Sequence, residues 1–249
     1  MTEEYRQHVI WRKLARLEVR RAAPPISTGL RALDAVLGGG GLPRGGIAEW
    51  FGPPSCGKTT LALETVGYLQ KNGSVAAWID ADRTFDPGYA AALGVSLESL
   101  PVARPETAEG ALEMARQLLH SGALDLLVVD SAAALVSSLE LDAGIGDSAW
   151  GLQSRVLASR LRGVHFALRR SGAAALFLNQ SRVHLDAAAG DMETSAGGPP
   201  LKLYAAVRVG FQMENGSRLR LRALKNNLAA AFRGGVLEWR DGAGFADTL

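Results

Sequence analysis

The chain has 249 residues, 47% of them apolar, which is enough for one sizeable α/β core. Formal net charge is only +2 and there is one cysteine, so any basic surface must be local, an intramolecular disulfide framework is excluded, and a reducing cytosol fits. No apolar run is long enough to span a bilayer and the charged start lacks the apolar stretch of a secretory signal, so a cytoplasmic location with no membrane partner is expected.

Residues Tyr5 to Arg21 set Val9, Ile10, Leu14 and Leu17 between basic residues, the spacing of an amphipathic helix with a solvated basic face. Pro24-Pro25 breaks it, which divides a helix and linker over 1–25 from a core over 26–249. Ser27 or Thr28 is expected to open a short helix that Gly38 to Gly41 ends. Ile47 to Phe51 reads as a strand and Thr60 to Gln70 as a helix. Between them Gly52, Pro53, Pro54, Ser55, Cys56, Gly57, Lys58, Thr59 and Thr60 fit the P-loop pattern. Glycines let backbone N–H groups curl round a phosphate, Lys58 can reach the outer phosphates, and Thr59 can place a hydroxyl on Mg²⁺. The helix N-terminus then faces the phosphates. Cys56 reads as a small filler, or else as an oxidation-sensitive thiolate beside that N-terminus.

Further strands are expected over Val75 to Asp80, Leu124 to Asp130 and Ala173 to Gln180. Helices are expected over Asp86 to Leu93, Thr107 to Ser121 and Gly151 to Arg170. Strands alternating with helices predict an α/β fold, a mainly parallel sheet flanked by helices. Ala205 to Met213, Arg218 to Lys225 and Gly235 to Arg240 read as a short antiparallel extension. Asp130 closes a buried hydrophobic strand at its carboxyl edge, where it can hold Mg²⁺ beside Thr59. Asp82, after the strand that ends in Asp80, can orient an attacking water; the alternative is that these acids cap the following turn. From Leu152 to Arg182 there is no acid but there are six arginines, among them Arg155, Arg162 and Arg182. Such a stripe suits contacts to the phosphates of a nucleic-acid backbone, or is a solvated helix face.

Taken together, these motifs resemble the RecA recombinase family from Ile26 to about Phe232. The resemblance is carried by Gly41-Leu42-Pro43-Arg44-Gly45, the P-loop, Ile79-Asp80-Ala81-Asp82, Asp86-Pro87, Asp130-Ser131, and Ile145-Gly146-Asp147-Ser148. Asn179-Gln180, Glu193-Thr194, Gly197-Gly198 and Lys225-Asn226-Asn227 extend it. It implies a RecA-like ATPase core using ATP and Mg²⁺. Lys58, Asp82, Asp130 and Gln180 take the catalytic positions, Gln180 as the γ-phosphate sensor. Asp86 and Tyr89 contact the adenine, and Lys225 reaches a neighbouring subunit's ATP. Segments of about Leu141 to Trp150 and Ser181 to Ala196 match the two DNA-facing loops, and Arg155 and Arg162 match positions that touch single-stranded DNA phosphates.

The chain departs from the family pattern at several points. Asp82 replaces a catalytic Glu, and Asn227 replaces the second of two lysines. Pro199-Pro200 follow Gly197-Gly198 and are expected to stiffen the second loop's exit. Ala189 replaces an aromatic. Pro24-Pro25 stand where a polymerisation strand is expected, and no counterpart of the family's C-terminal domain is expected. Small RecA-like proteins with such departures are similar to the ImuA type. That likeness implies an accessory subunit in translesion (SOS) mutagenesis, with slow ATP hydrolysis. Its expected partners are a Y-family polymerase relative of ImuB type and RecA itself. The alternatives are a compact recombinase that forms filaments, a regulator of another RecA-like class, and an ATP-switched interaction module without DNA binding.

Overall fold

The structure, a computed structural model, describes residues 23–143, 151–184, 192–242 and 244–248; at 182–184 and 192–194 only the backbone is described. The helix expected over Tyr5 to Arg21, most of the first expected loop and the tip of the second lie outside these residues.

A short helix, α1 (Arg31–Leu37), precedes the first strand, β1 (Ile47–Gly52), and the long helix α2 (Lys58–Lys71). Then follow β2 (Ala76–Asp80), α3 (Pro87–Ala92), β3 (Val102–Ala103), α4 (Ala108–His120) and β4 (Leu126–Asp130). A single-turn helix, α5 (Ser138–Leu141), leads on to α6 (Leu152–Ser171), β5 (Ala174–His184), β6 (Met192–Ser195) and α7 (Pro199–Tyr204). The last part is β7 (Ala205–Glu214), β8 (Arg218–Asn226), β9 (Gly234–Arg240) and β10 (Gly244–Asp247).

One sheet runs in the order β10-β9-β8-β7-β1-β5-β4-β2-β3, with β6 paired to the end of β5. The pairs from β7 through β3 are parallel and those from β7 to β10 antiparallel, so the parallel sheet with its antiparallel extension is as expected. The parallel strands are buried on both faces, which is why they read as continuous apolar runs. Successive residues of β4 serve opposite cores. Leu126 and Val128 face Trp50, Trp78, α1 and α2, whereas Leu127 and Val129 face α4 and α6.

Helix ends follow side-chain chemistry. Thr107 caps α4 through the Gly110 N–H, and Asp86 caps α3 through the Tyr89 N–H, each satisfying a donor the first turn leaves open. The start expected at Ser27 or Thr28 is corrected. Both hydroxyls are taken by Asp34, and α1 begins at Arg31. Its open N–H groups, those of Arg31 and Ala32, are instead bound by Asp247, more than two hundred residues away. Pro199-Pro200 form the first turn of α7, where a missing N–H costs nothing.

Candidate nucleotide and DNA site

The register gathers the candidate residues at the carboxyl edge of the sheet. Gly52 at the end of β1 lies opposite Gln180 of β5, and Asp80 of β2 lies opposite Asp130 of β4. Gly57 turns the loop into α2 with a left-handed φ of 91°, and no side chain caps the helix that follows. Its first N–H groups and the positive end of its dipole therefore face the loop, an arrangement fit for a phosphate.

Lys58 is nearly buried and its Nζ donates to the carbonyls of Gly52, 3.1 Å away, and Pro53, 2.7 Å away. The ammonium thus sits in the curl of the loop. Thr59 Oγ1 donates to Asp130 Oδ2 at 2.9 Å, which brings together the two groups expected to hold Mg²⁺. Burial lifts the Asp130 carboxyl to about 6 against the bond from Thr59, and the negative charges of Asp82 and Asp80 push the same way. A divalent cation would relieve this crowding. Among the described residues no cluster of three metal-ligating side chains exists. One carboxylate, one hydroxyl, water and substrate phosphate form the donor set Mg²⁺ commonly takes, so the residues fit it.

Asp80 and Asp82 are held differently, and only Asp80 caps the turn. Asp80 accepts the N–H groups of Thr84 and Phe85 and pairs with Arg104 at 2.9 Å, so it closes the turn. Asp82 accepts the N–H and hydroxyl of Ser131 at 3.3 and 3.0 Å, which holds it beside Asp130. Tyr89 shares a hydrogen bond between its hydroxyl and Thr60 Oγ1 at 2.8 Å, so it stands at the loop with its ring half exposed. Asp86 is on the same helix, engaged as its cap. Cys56 is buried, and burial pushes its thiol up although Lys58 lies 3.4 Å away, which fits the filler reading and not a thiolate.

Gln180 presents an exposed side chain from a fixed backbone. Its N–H donates to Asn179 Oδ1, and its carbonyl accepts from Ala196 N–H. Beneath it the fully buried Glu49 takes Asn179 Nδ2 and the Arg208 guanidinium, which also reaches Ser195 Oγ at 3.0 Å. The exit of the second loop is therefore tied to the sheet next to Gln180. The β5–β6 hairpin gives that loop a stem, Ser181 opposite Ser195.

Arg155 and Arg162 are exposed on α6 at a spacing of seven, hence on one face. Arg182 lies in the hairpin stem; its side chain is outside the described set. Lys225 is not brought to this chain's phosphate loop. It stands opposite Arg208, toward the amino half of β1, and its Nζ is held by the carbonyls of Lys202 and Leu203. Contact with a nucleotide would need a second copy.

Two residues at the loop were missed by sequence reasoning. The Phe245 ring packs on Gly57, where an added Cβ would come within 2.5 Å of it, and Glu64 of α2 accepts the Phe245 N–H at 2.7 Å. The strand that carries Phe245 has four residues, too few for alternation to register. Asp241-Gly242 was the available signal, a hairpin dipeptide after β9.

The model of the RecA N-terminal domain family matches residues 10–246. The chain is 45% identical over 225 residues to the protein named RecA of Kineococcus radiotolerans, an alignment that takes in 87% of this chain and 65% of that one. Identity to the one from Bifidobacterium breve is 45% over 230 residues, covering 89% and 59%. For Mycobacterium avium it is 46% over 225 residues, covering 87% and 64%. The chain therefore spans somewhat under two thirds of the length of these relatives. Among the described residues no helix is long and apolar enough to cross a membrane. With nearly its whole length under that family model, the chain belongs to the RecA N-terminal domain family.

Proposed function

We propose that the chain binds ATP with Mg²⁺ at the loop from Gly52 to Thr60 and associates with single-stranded DNA as an accessory subunit in translesion mutagenesis. The observation that carries nucleotide binding is the Thr59–Asp130 pair at the mouth of an uncapped, glycine-turned helix start. In this reading Lys58 swings from its carbonyl partners to the β and γ phosphates, Asp82 orients water, and Gln180 senses the γ phosphate. Asp86 and Tyr89 flank the base. Arg155, Arg162 and Arg182 contact DNA phosphates weakly and without sequence preference. Lys58→Ala removes the charge that faces the phosphates. Calorimetry with MgATP should show affinity falling at least about tenfold, and equal affinities would reject the site.

The accessory role rests on the departures at Asp82 and Asn227 and on a sheet edge that is uncovered among the described residues. β3 is the last strand of the sheet and has two residues. Beside it lies a small groove of about 320 Å³ lined by Ala103, Met114, Gln117, Leu118 and Ser121. An extended segment of a Y-family polymerase relative of ImuB type, or of RecA, can add to such an edge through its backbone. Co-elution with that polymerase relative, lost when Met114 is replaced by Glu, is the expected result. The division into a helix and linker over 1–25 and a core over 26–249 belongs to the same reading.

A compact recombinase that forms filaments is the second reading. The 45% identity to proteins named RecA favours it.

A further inference from the structure

β10 is fastened at both ends to elements far away in sequence. Asp247 binds the first N–H groups of α1, and Phe245 donates its N–H to Glu64 Oε1, six residues into α2 from Lys58. Between these ties the fit is tight. A Cβ at Gly244 would overlap the Glu64 carboxyl, and Gly244 has a φ of 81° that side chains rarely adopt. The Phe245 ring lies against Gly57 on one side and edge-on to Trp239 at 5.2 Å on the other. Glu64 itself is unusual. Among the described residues its Oε2 is buried without a partner and no charged side chain acts on it, and burial lifts its carboxyl to about 7. Leaving a carboxylate there costs stability that an apolar residue would not. Packing alone does not account for an acid at this position; the bond to Phe245 does.

We propose that Glu64 is a positioning residue of the nucleotide site: by holding the Phe245 N–H it seats the ring on Gly57 and fixes the left-handed turn of the phosphate loop. Gly57 needs this support. It has no Cβ, so its φ is free to drift, and the N–H groups that follow it must converge on one phosphate. The ring blocks the space that a relaxed loop would enter. β10 is then part of the site although none of its side chains need touch the phosphates. The proposal rests on the reading that this loop binds a nucleotide.

The test is calorimetry with two probes, Mg²⁺ with a non-hydrolysable ATP analogue and Mg²⁺ with tripolyphosphate. The unaltered chain is compared with Glu64→Leu, Glu64→Gln and Phe245→Leu. Glu64→Leu keeps the bulk and loses the acceptor, and Phe245→Leu keeps the N–H and loses the ring. Both should weaken both probes by a similar factor, on the order of tenfold, because the effect lies in the phosphate loop. Glu64→Gln, which restores an acceptor, should recover most of the loss. If Glu64→Leu fails to give a cooperative melt, Phe245→Leu decides. Undiminished binding in Glu64→Leu or Phe245→Leu would overturn the proposal. So would a loss confined to the ATP analogue, or a Glu64→Gln variant as weak as Glu64→Leu. Failure of the unaltered chain to bind either probe would instead overturn the nucleotide reading itself.

Discussion

Asp82 has one methylene less than the Glu that the family resemblance implies at its position, and the structure holds it against Ser131. In the proposed reading a water oriented by the shorter arm sits differently, and a misplacement of about 1 Å can cost roughly 100-fold in rate. Asp82→Glu should therefore raise steady-state phosphate release by about 10- to 100-fold if the rest of the site is intact. An unchanged rate would move the limit to Asn227. Glu64 makes a separate prediction about stability. Its carboxyl is raised from 4.5 to about 7 by burial, so the folded chain binds a proton that the unfolded chain releases. Stability from this group is fully present below pH 4.5 and is lost as pH rises to about 7. Thermal melts of the unaltered chain and of Glu64→Gln across this range should differ in slope, the variant lacking the Glu64 contribution. Identical slopes would mean that Glu64 is not held in the buried state described.

The basic face of α6 acts as an element. Arg155, in the first turn, and Arg162, at mid-helix, share one face, and Gln153 anchors the start of the helix to the carbonyls of Ala132, Ala133 and Leu135. Each arginine that meets a DNA phosphate releases a counterion, so binding to single strands should weaken steadily as salt rises. Arg155→Ala and Arg162→Ala should each lower the slope of log affinity against log salt by about 0.7. A fluorescence titration with no binding at low salt would remove the DNA role. The elements themselves were largely legible. The apolar runs of β4 and β5 and the 3.6-residue spacing in α4 reflect burial of whole faces, and burial is written in composition. α1 was misplaced because its cap comes from Asp247, a tertiary contact that no local pattern carries. β3 and β10 were missed because two and four residues are too short for a period. At the site, the phosphate loop and the Asp130 strand end were visible because their chemistry fixes residue type at fixed spacing. The different hydrogen-bond partners of Asp80 and Asp82, and the contact of Phe245 with Gly57, depend on which side chains the folded sheet brings together.

At the scale of the whole molecule the sheet separates the phosphate loop from the positions the resemblance assigns to a neighbour's site. The loop departs from the carboxyl end of β1, while Lys225 and Asn227 lie beside its amino half. If those positions act as the resemblance implies, they would meet the loop of a second copy and not their own. The family's resemblance implies that such a neighbour is joined by a donated strand between the first helix and the core. Here Pro24-Pro25 occupy that stretch, and Ile26 is already bridged to Leu42 of its own core. Prolines have no N–H to offer a sheet edge, so the stretch is a poor donor. The edge at β3 is then available to a partner's segment, and the chain should remain a monomer or small oligomer with an ATP analogue and single-stranded DNA. Negative-stain electron microscopy of that mixture tests the point. Dispersed particles are the expected outcome. Regular helical filaments would mean that another surface joins the copies, would bring Lys225 to a neighbouring phosphate loop, and would put the compact recombinase ahead of the accessory subunit.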